Sequence, residues 1–229
     1  LGPSPGLEFE GAFPLAWAPP MASPPQSGLA AAPAGSLQME LGEVLNGELK
    51  EVSQRFEDAL AGGVKLEENG EVTIVLSDPS RAFDLAVAMQ EAVWPVRLRF
   101  SITAPGPEEE AELRQQARAG LEKTGKGRAF HFQVQGKSKS ELRLAQEAAG
   151  LHAAIVSEWT PTRAAAVRRY RRLKKQAEVA KEMGISQQAI SQMLVGARFR
   201  DLASTEDALR DWLTEPAAPG IWPLRRNRG

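Results

Sequence analysis

One stretch constrains this chain more than any other: Gln176 to Val195, QAEVAKEMGISQQAISQMLV. Residues 176–183 put Val179, Ala180 and Met183 on one face of a short helix. Gly184-Ile185-Ser186 then interrupts the period. Gly184 tolerates a positive φ, which a sharp helix end needs. Ile185 is expected to point inward from the turn. Ser186 suits the cap position of a second helix, because its hydroxyl can accept a bond from the free N–H groups of the first turn. In that second helix, 187–195, Ile190 and Leu194 stand at i and i+4 and face the first helix. The small Ala180 suits the point where the two helices cross most closely. The polar residues Gln187, Gln188, Ser191 and Gln192 are left facing outward.

Two short helices at this spacing form the helix-turn-helix pattern, in which the second helix lies in the DNA major groove. A Gln amide can pair with adenine N6 and N7, and a Ser hydroxyl can contact several base edges. An ordinary helical hairpin with a polar outer face is the competing reading. The run SQQAISQ also resembles the helix-turn-helix of phage repressors of the lambda type.

Net charge is only −1 over 229 residues, which argues against a DNA binder until the charges are mapped. From Trp159 to Arg200 there are ten basic residues and two acidic ones, Glu178 and Glu182. From Leu1 to Leu60 eight acidic residues face only Lys50 and Arg55. The positive part coincides with the helix-turn-helix. Arg168, Arg169, Arg171, Arg172, Lys174 and Lys175, with Arg198 and Arg200 beyond the second helix, are therefore candidates for phosphate contacts. A solvated helix face is the plainer reading of such a run, and one helix cannot turn all of them toward DNA.

Cysteine is absent and His131 and His152 are the only histidines, which excludes disulfides, thiol catalysis and a multi-histidine metal site. No metal or cofactor is expected. No apolar run reaches the length of a membrane span, and no secretory signal is evident, so a cytoplasmic protein is the default expectation. Glu108, Glu109, Glu110 and Glu112 read as a solvated helix start favoured by the dipole.

The remaining chain reads in order. Leu1–Ser36 is rich in Pro, Gly, Ala and Ser and is expected to be mostly flexible, with an edge strand over 12–18 and a candidate internal start at Met21. Leu37–Ala61 is amphipathic with helical spacing. Val64–Glu68 and Glu71–Ser77 read as strands about an Asn69-Gly70 turn. Asp78 and Pro79 start a helix running to about Val93. Val96–Thr103 is a strand, Glu108–Lys123 a polar helix and Ala129–Val134 a further strand. Ser138–Glu158 is helical, Thr160-Pro161 starts another helix to about Leu173, and Ser204 caps a short helix over Ser204–Leu213. The order of strands and helices predicts an α+β sandwich of the ferredoxin-like kind, followed by an all-α helix-turn-helix domain. The expected divisions are 1–36, a cyclase-like domain over 37–136, a connecting helix over 137–159, the helix-turn-helix over 160–214 and a basic tail over 215–229.

The stretch GGVKLEENGEVTIVLSDPSRAFDLAVAMQEAVWPVRLRFSI, beginning at Gly62, resembles class III nucleotide cyclases. That resemblance implies a base-contacting role for Lys65 and two metal-binding carboxylates. Asn69 stands where the hairpin aspartate belongs, and no Asp or Glu occurs from Gly11 to Met39. The late Asn…Arg pair of the family finds at best Arg118. The resemblance therefore implies a cyclase-like domain that has lost its catalysis. The C-terminal half, carried by EWTPTR at 158–163 and GISQQAIS at 184–191, resembles SatD-type proteins, which join a cyclase-like region to a helix-turn-helix.

The expected function is sequence-specific binding of double-stranded DNA by a homodimeric transcriptional regulator. The cyclase-like part would serve dimerisation first and sensing of a small-molecule effector second. The competing classes are a divergent nucleotide-acting enzyme with an attached DNA-binding module, and an architectural DNA binder of little sequence preference.

Overall fold

The computed structural model describes residues 26–33, 47, 50–62, 64–66, 71–104, 109–124 and 128–215. The candidate strand at 12–18, Met21, the Asn69-Gly70 turn and the tail beyond Glu215 lie outside them. The fold is α+β, built on a five-stranded mixed sheet of order β2-β3-β1-β4-β5. The strands are β1 (Ser27–Pro33), β2 (Lys65–Leu66), β3 (Val72–Leu76), β4 (Leu98–Ala104) and β5 (Phe130–Val134). β5 runs parallel to β4, and the other pairings are antiparallel.

The central strand is the largest departure from the sequence reading. SGLAAAP falls in the segment expected to be flexible, yet Leu29 pairs with both Ile74 and Ile102 at the middle of the sheet. Ala, Gly and Pro are weak strand formers, but strand preference reflects packing more than backbone bias. Here packing demands small side chains. A Cβ on Gly28 would lie 2.9 Å from Leu113 Cδ1, and Ala30 and Ala32 pack with Ala117 and Leu121. Those partners belong to α3 (Glu110–Thr124), which lies close over this face.

The opposite face carries the main core. A helical segment that includes residues 50–55 (α1) brings Val52, and the turn after it brings Phe56. α2 (Arg81–Ala92) contributes Phe83, Leu85, Ala86 and Met89. Its regular turns begin after a tight turn at Pro79, in which the Asp78 carboxylate accepts from Ser80 N–H at 2.9 Å. α4 (Lys139–Ser157) begins in a reciprocal Ser138–Glu141 capping box and lays Ala145 and Ala149 into this core. It is thus part of the packed body as well as a connector.

The chain then forms α5 (Pro161–Leu173), α6 (Gln176–Met183), α7 (Gln187–Gly196) and α8 (Phe199–Thr214). The last helix is longer than Ser204–Leu213 and does not start at Ser204. Leu202, near its true start, is buried in the core of the helical part, whereas Leu209 and Leu213 are buried in the sheet core. Trp212 meets Phe132 edge-on at 5.5 Å. Burial at both ends keeps this stretch in one helix, outweighing the local cap signal.

Candidate nucleic-acid interface

α6 and α7 meet as their sequence periods require. Val179, Ala180, Ile190 and Leu194 are buried together, with Met183 packed against them. Gly184 takes φ 66°, and Ile185 N–H reaches back to Ala180 O at 3.1 Å, closing the helix end. Ser186 Oγ accepts from Ala189 N–H at 3.1 Å, which caps α7. Ile185 is the exception in the expected core: it is 36% exposed at the outside of the turn.

The outer face of α7 carries Gln187, Gln188 and Gln192 exposed and Ser191 half-buried. It also carries Val195, 75% exposed. Sequence reasoning took Val195 only as the helix end. An exposed β-branched residue one turn beyond Ser191 and Gln192 was the available signal. Arg163, on α5, counts in the basic run but is not among the phosphate-contact candidates. A Cβ on Gly196 would lie 3.0 Å from Arg163 Nε, so its guanidinium lies over the last turn of α7. Trp159 Nε1–H donates to Ala197 O at 3.2 Å and fixes that same end.

The basic run divides into two sets. Arg171 is half-buried, whereas Arg168 stays exposed while its guanidinium reaches back to α2. They share the stripe of α5 that packs on α2 and α8, as residues three apart on a helix must. Arg168 donates to the carbonyls of Glu91 and Ala92 at 3.4 and 3.3 Å. Arg171 pairs with Glu91 at 2.8 Å and with Glu206 at 2.6 Å. Arg171 leaves the phosphate-contact set, and the exposed Arg168 has one nitrogen turned to carbonyls. Arg169 and Arg172 both hold Glu182 of α6, at 3.3 and 2.6 Å, and Lys175 pairs with Glu178 at 3.1 Å. Lys174, Arg198 and Arg200 are exposed and make no ion pair among the described residues.

Lys174 and Arg198 are also the two non-glycine residues with positive φ among the described residues, 60° and 54°. Lys174 closes α5, and Arg198 joins α7 to α8. Glycine is the residue that this conformation favours. A long cation at both corners therefore costs backbone energy that glycine would avoid.

Beneath the surface, Arg171 belongs to a buried ionic cluster. His152 Nε2 lies 2.8 Å from Glu206 Oε1, so α2, α4, α5 and α8 each contribute one member. Burial pushes the Glu91 carboxyl above its ordinary range, with Arg171 opposing only in part. Burial also pulls on Glu206, but hydrogen bonds from His152 and Arg171 outweigh it and hold that carboxyl at about 2. Burial works against the Arg171 charge, and the two carboxylates overcome it, pushing its pKa up.

Lys65 is exposed on the edge strand β2, outside the α6–α7 surface. No group of three or more His, Asp or Glu side chains among the described residues could hold a metal ion. No helix among them is long and apolar enough to cross a membrane. Comparison with family models, curated proteins and solved structures finds no match to this chain.

Proposed function

We propose that this chain is a cytoplasmic, sequence-specific DNA-binding protein, a dimeric transcriptional regulator that places α7 in the major groove. The observation that carries the reading is the α6–turn–α7 unit. Its buried face is complete, and its outer face on α7 offers three glutamines, a serine and an exposed valine. Gln188 and Gln192 would read adenine edges, and Val195 would meet a thymine methyl. Lys174, Arg198 and Arg200, with Lys175 beside them, would contact phosphate. The cations at the two left-handed corners support that role, since glycine would otherwise be favoured there. Four such contacts correspond to a slope of about −4 in log K against log salt.

The strand order β2-β3-β1-β4, with helices between β1 and β2 and between β3 and β4, supports a ferredoxin-like, cyclase-like unit extended by β5. We read this unit as non-catalytic. β1 carries no carboxylate, and in the sequence Asn69 stands where the family's aspartate belongs.

Selection from a random duplex pool tests the proposal. A motif should emerge, and Gln188→Ala should lose about 1–3 kcal/mol of preference at one base pair while keeping salt-sensitive binding. Tight binding with no motif makes the protein an architectural binder. No binding near 100 mM salt overturns the reading.

A reader of two half-sites needs a second copy, and we assign the contact to α4. Leu144 and Leu151 are 73% and 68% exposed there, and the half-buried Ala148 and Ile155 complete a 4-3-4 seam. Gly150 lies mid-helix where a Cβ would meet nothing within 4 Å, so this chain's own packing does not require its small size. An antiparallel copy of the same helix uses such a surface on both sides of a two-fold axis. Sedimentation should find a dimer that Leu144→Glu with Leu151→Glu converts to monomer. A monomeric parent protein at micromolar concentration sinks this assignment.

A further inference from the structure

The junction between the sheet-bearing part and the DNA-facing helices encloses an open cleft of about 880 Å³. α1 and α2 line one side, and α5, α6 and α8 line the other. Eight basic side chains and five acidic ones face it. Most of the acidic ones are committed. Glu91 and Glu206 hold Arg171, Asp84 holds Arg210 at 2.8 Å, and Glu182 serves both Arg169 and Arg172.

Arg55 and Arg81 are the unusual members. Both guanidiniums lie over the same Phe56 ring, at 5.2 and 5.0 Å from its centroid. Neither pairs with a carboxylate among the described residues, and Arg81 Nε is sealed from solvent without a hydrogen-bond partner there. Two positive charges held over one ring repel each other, and their remaining N–H forks suit a bidentate oxyanion. Arg168 adds a third cation whose acceptors are only carbonyls.

We propose that this cleft binds a phosphorylated small molecule carrying two or more negative charges, with Arg55 and Arg81 as its principal contacts. The volume lies within the range of small-ligand sites. α7 contributes no lining residue, and a concave cleft between helices does not admit a duplex. Occupancy also competes with Glu182 for Arg169 and Arg172, the pair that ties α6 to α5. A ligand therefore reaches the DNA-facing helices through their own support. This coupling rests on the DNA-binding reading, whereas the binding site does not.

Calorimetric titration of the full chain with inorganic pyrophosphate tests the site. One equivalent should bind, and Arg55→Gln with Arg81→Gln should weaken it about 100-fold, the loss of two charge-assisted contacts. Glu51→Gln, which removes an exposed acidic lining residue, should tighten it, so the test does not depend on one variant folding. Unchanged affinity in the arginine variant overturns the proposal. So does equal loss of duplex and pyrophosphate binding in that variant, which makes the cleft part of the DNA surface. Pyrophosphate should also shift duplex affinity in the parent protein and not in the arginine variant. If no duplex binds at all, the DNA reading fails while the pyrophosphate titration still decides the site.

Discussion

Arg171→Ala is expected to lower the stability of the protein by about 3–5 kcal/mol, the cost of breaking a buried ion pair from one side. Among the described residues the guanidinium is the only cation bridging Glu91 and Glu206, and it also lies over the Phe199 ring at 5.1 Å. Alanine strands the buried Glu91 carboxylate and leaves Glu206 with His152 alone. The loss should be smaller at pH 5 than at pH 8. Burial already raises the Glu91 pKa, so without Arg171 this carboxyl takes up a proton as the pH falls and sheds its charge. Replacing the cluster as a unit, with Glu91→Leu, Arg171→Met and Glu206→Gln, should recover most of the deficit, because the glutamine keeps a bond to His152. Denaturant unfolding of the two variants at both pH values measures this. A loss below about 1 kcal/mol for Arg171→Ala would show that the cluster does not clamp the junction.

Acid should weaken the protein through Glu206. Its carboxyl is held at about 2 against an ordinary 4.5. A depressed carboxyl stabilises the fold at pH above its unfolded value and loses that contribution as pH falls through its folded value. The window therefore runs from about 4.5 down to about 2, and the shift corresponds to about 3 kcal/mol. Glu91 acts in the opposite sense, since its raised pKa penalises the fold above its unfolded value and the penalty lifts as acid protonates it. Glu206→Gln should be less stable than the parent at pH 7, and the difference should close toward pH 2. A difference that stays constant from pH 7 to pH 2 would refute the assignment to Glu206.

The helices around the candidate interface were legible because their signals are local. Thr160 caps α5 through Arg163 N–H, Ser138 and Glu141 box the start of α4, and Gly184 and Ser186 close and reopen the chain at α6 and α7. Each is satisfied by neighbours within a few residues, so sequence spacing carries the information. Strand β3 was legible from its apolar run, which is buried throughout. The roles of the α5 cations were not. The carboxylates that take Arg171 lie 80 residues before it and 35 after it, and no local pattern separates Arg171 from its neighbour Arg172, which stays at the surface.

By itself, the sequence determined the helical periods, the caps at Thr160 and Ser186 and the sharp turn at Gly184, since backbone hydrogen bonding and φ preference act over a few residues. It also set the charge asymmetry that puts ten cations around α5–α7. Only the tertiary structure decided that SGLAAAP is the central strand, because small side chains become an advantage only once α3 lies on them. Tertiary packing likewise drew Ser204 into the interior of α8 and turned Arg171 away from solvent. In each case the deciding partner is distant along the chain, and burial outweighs the local preference.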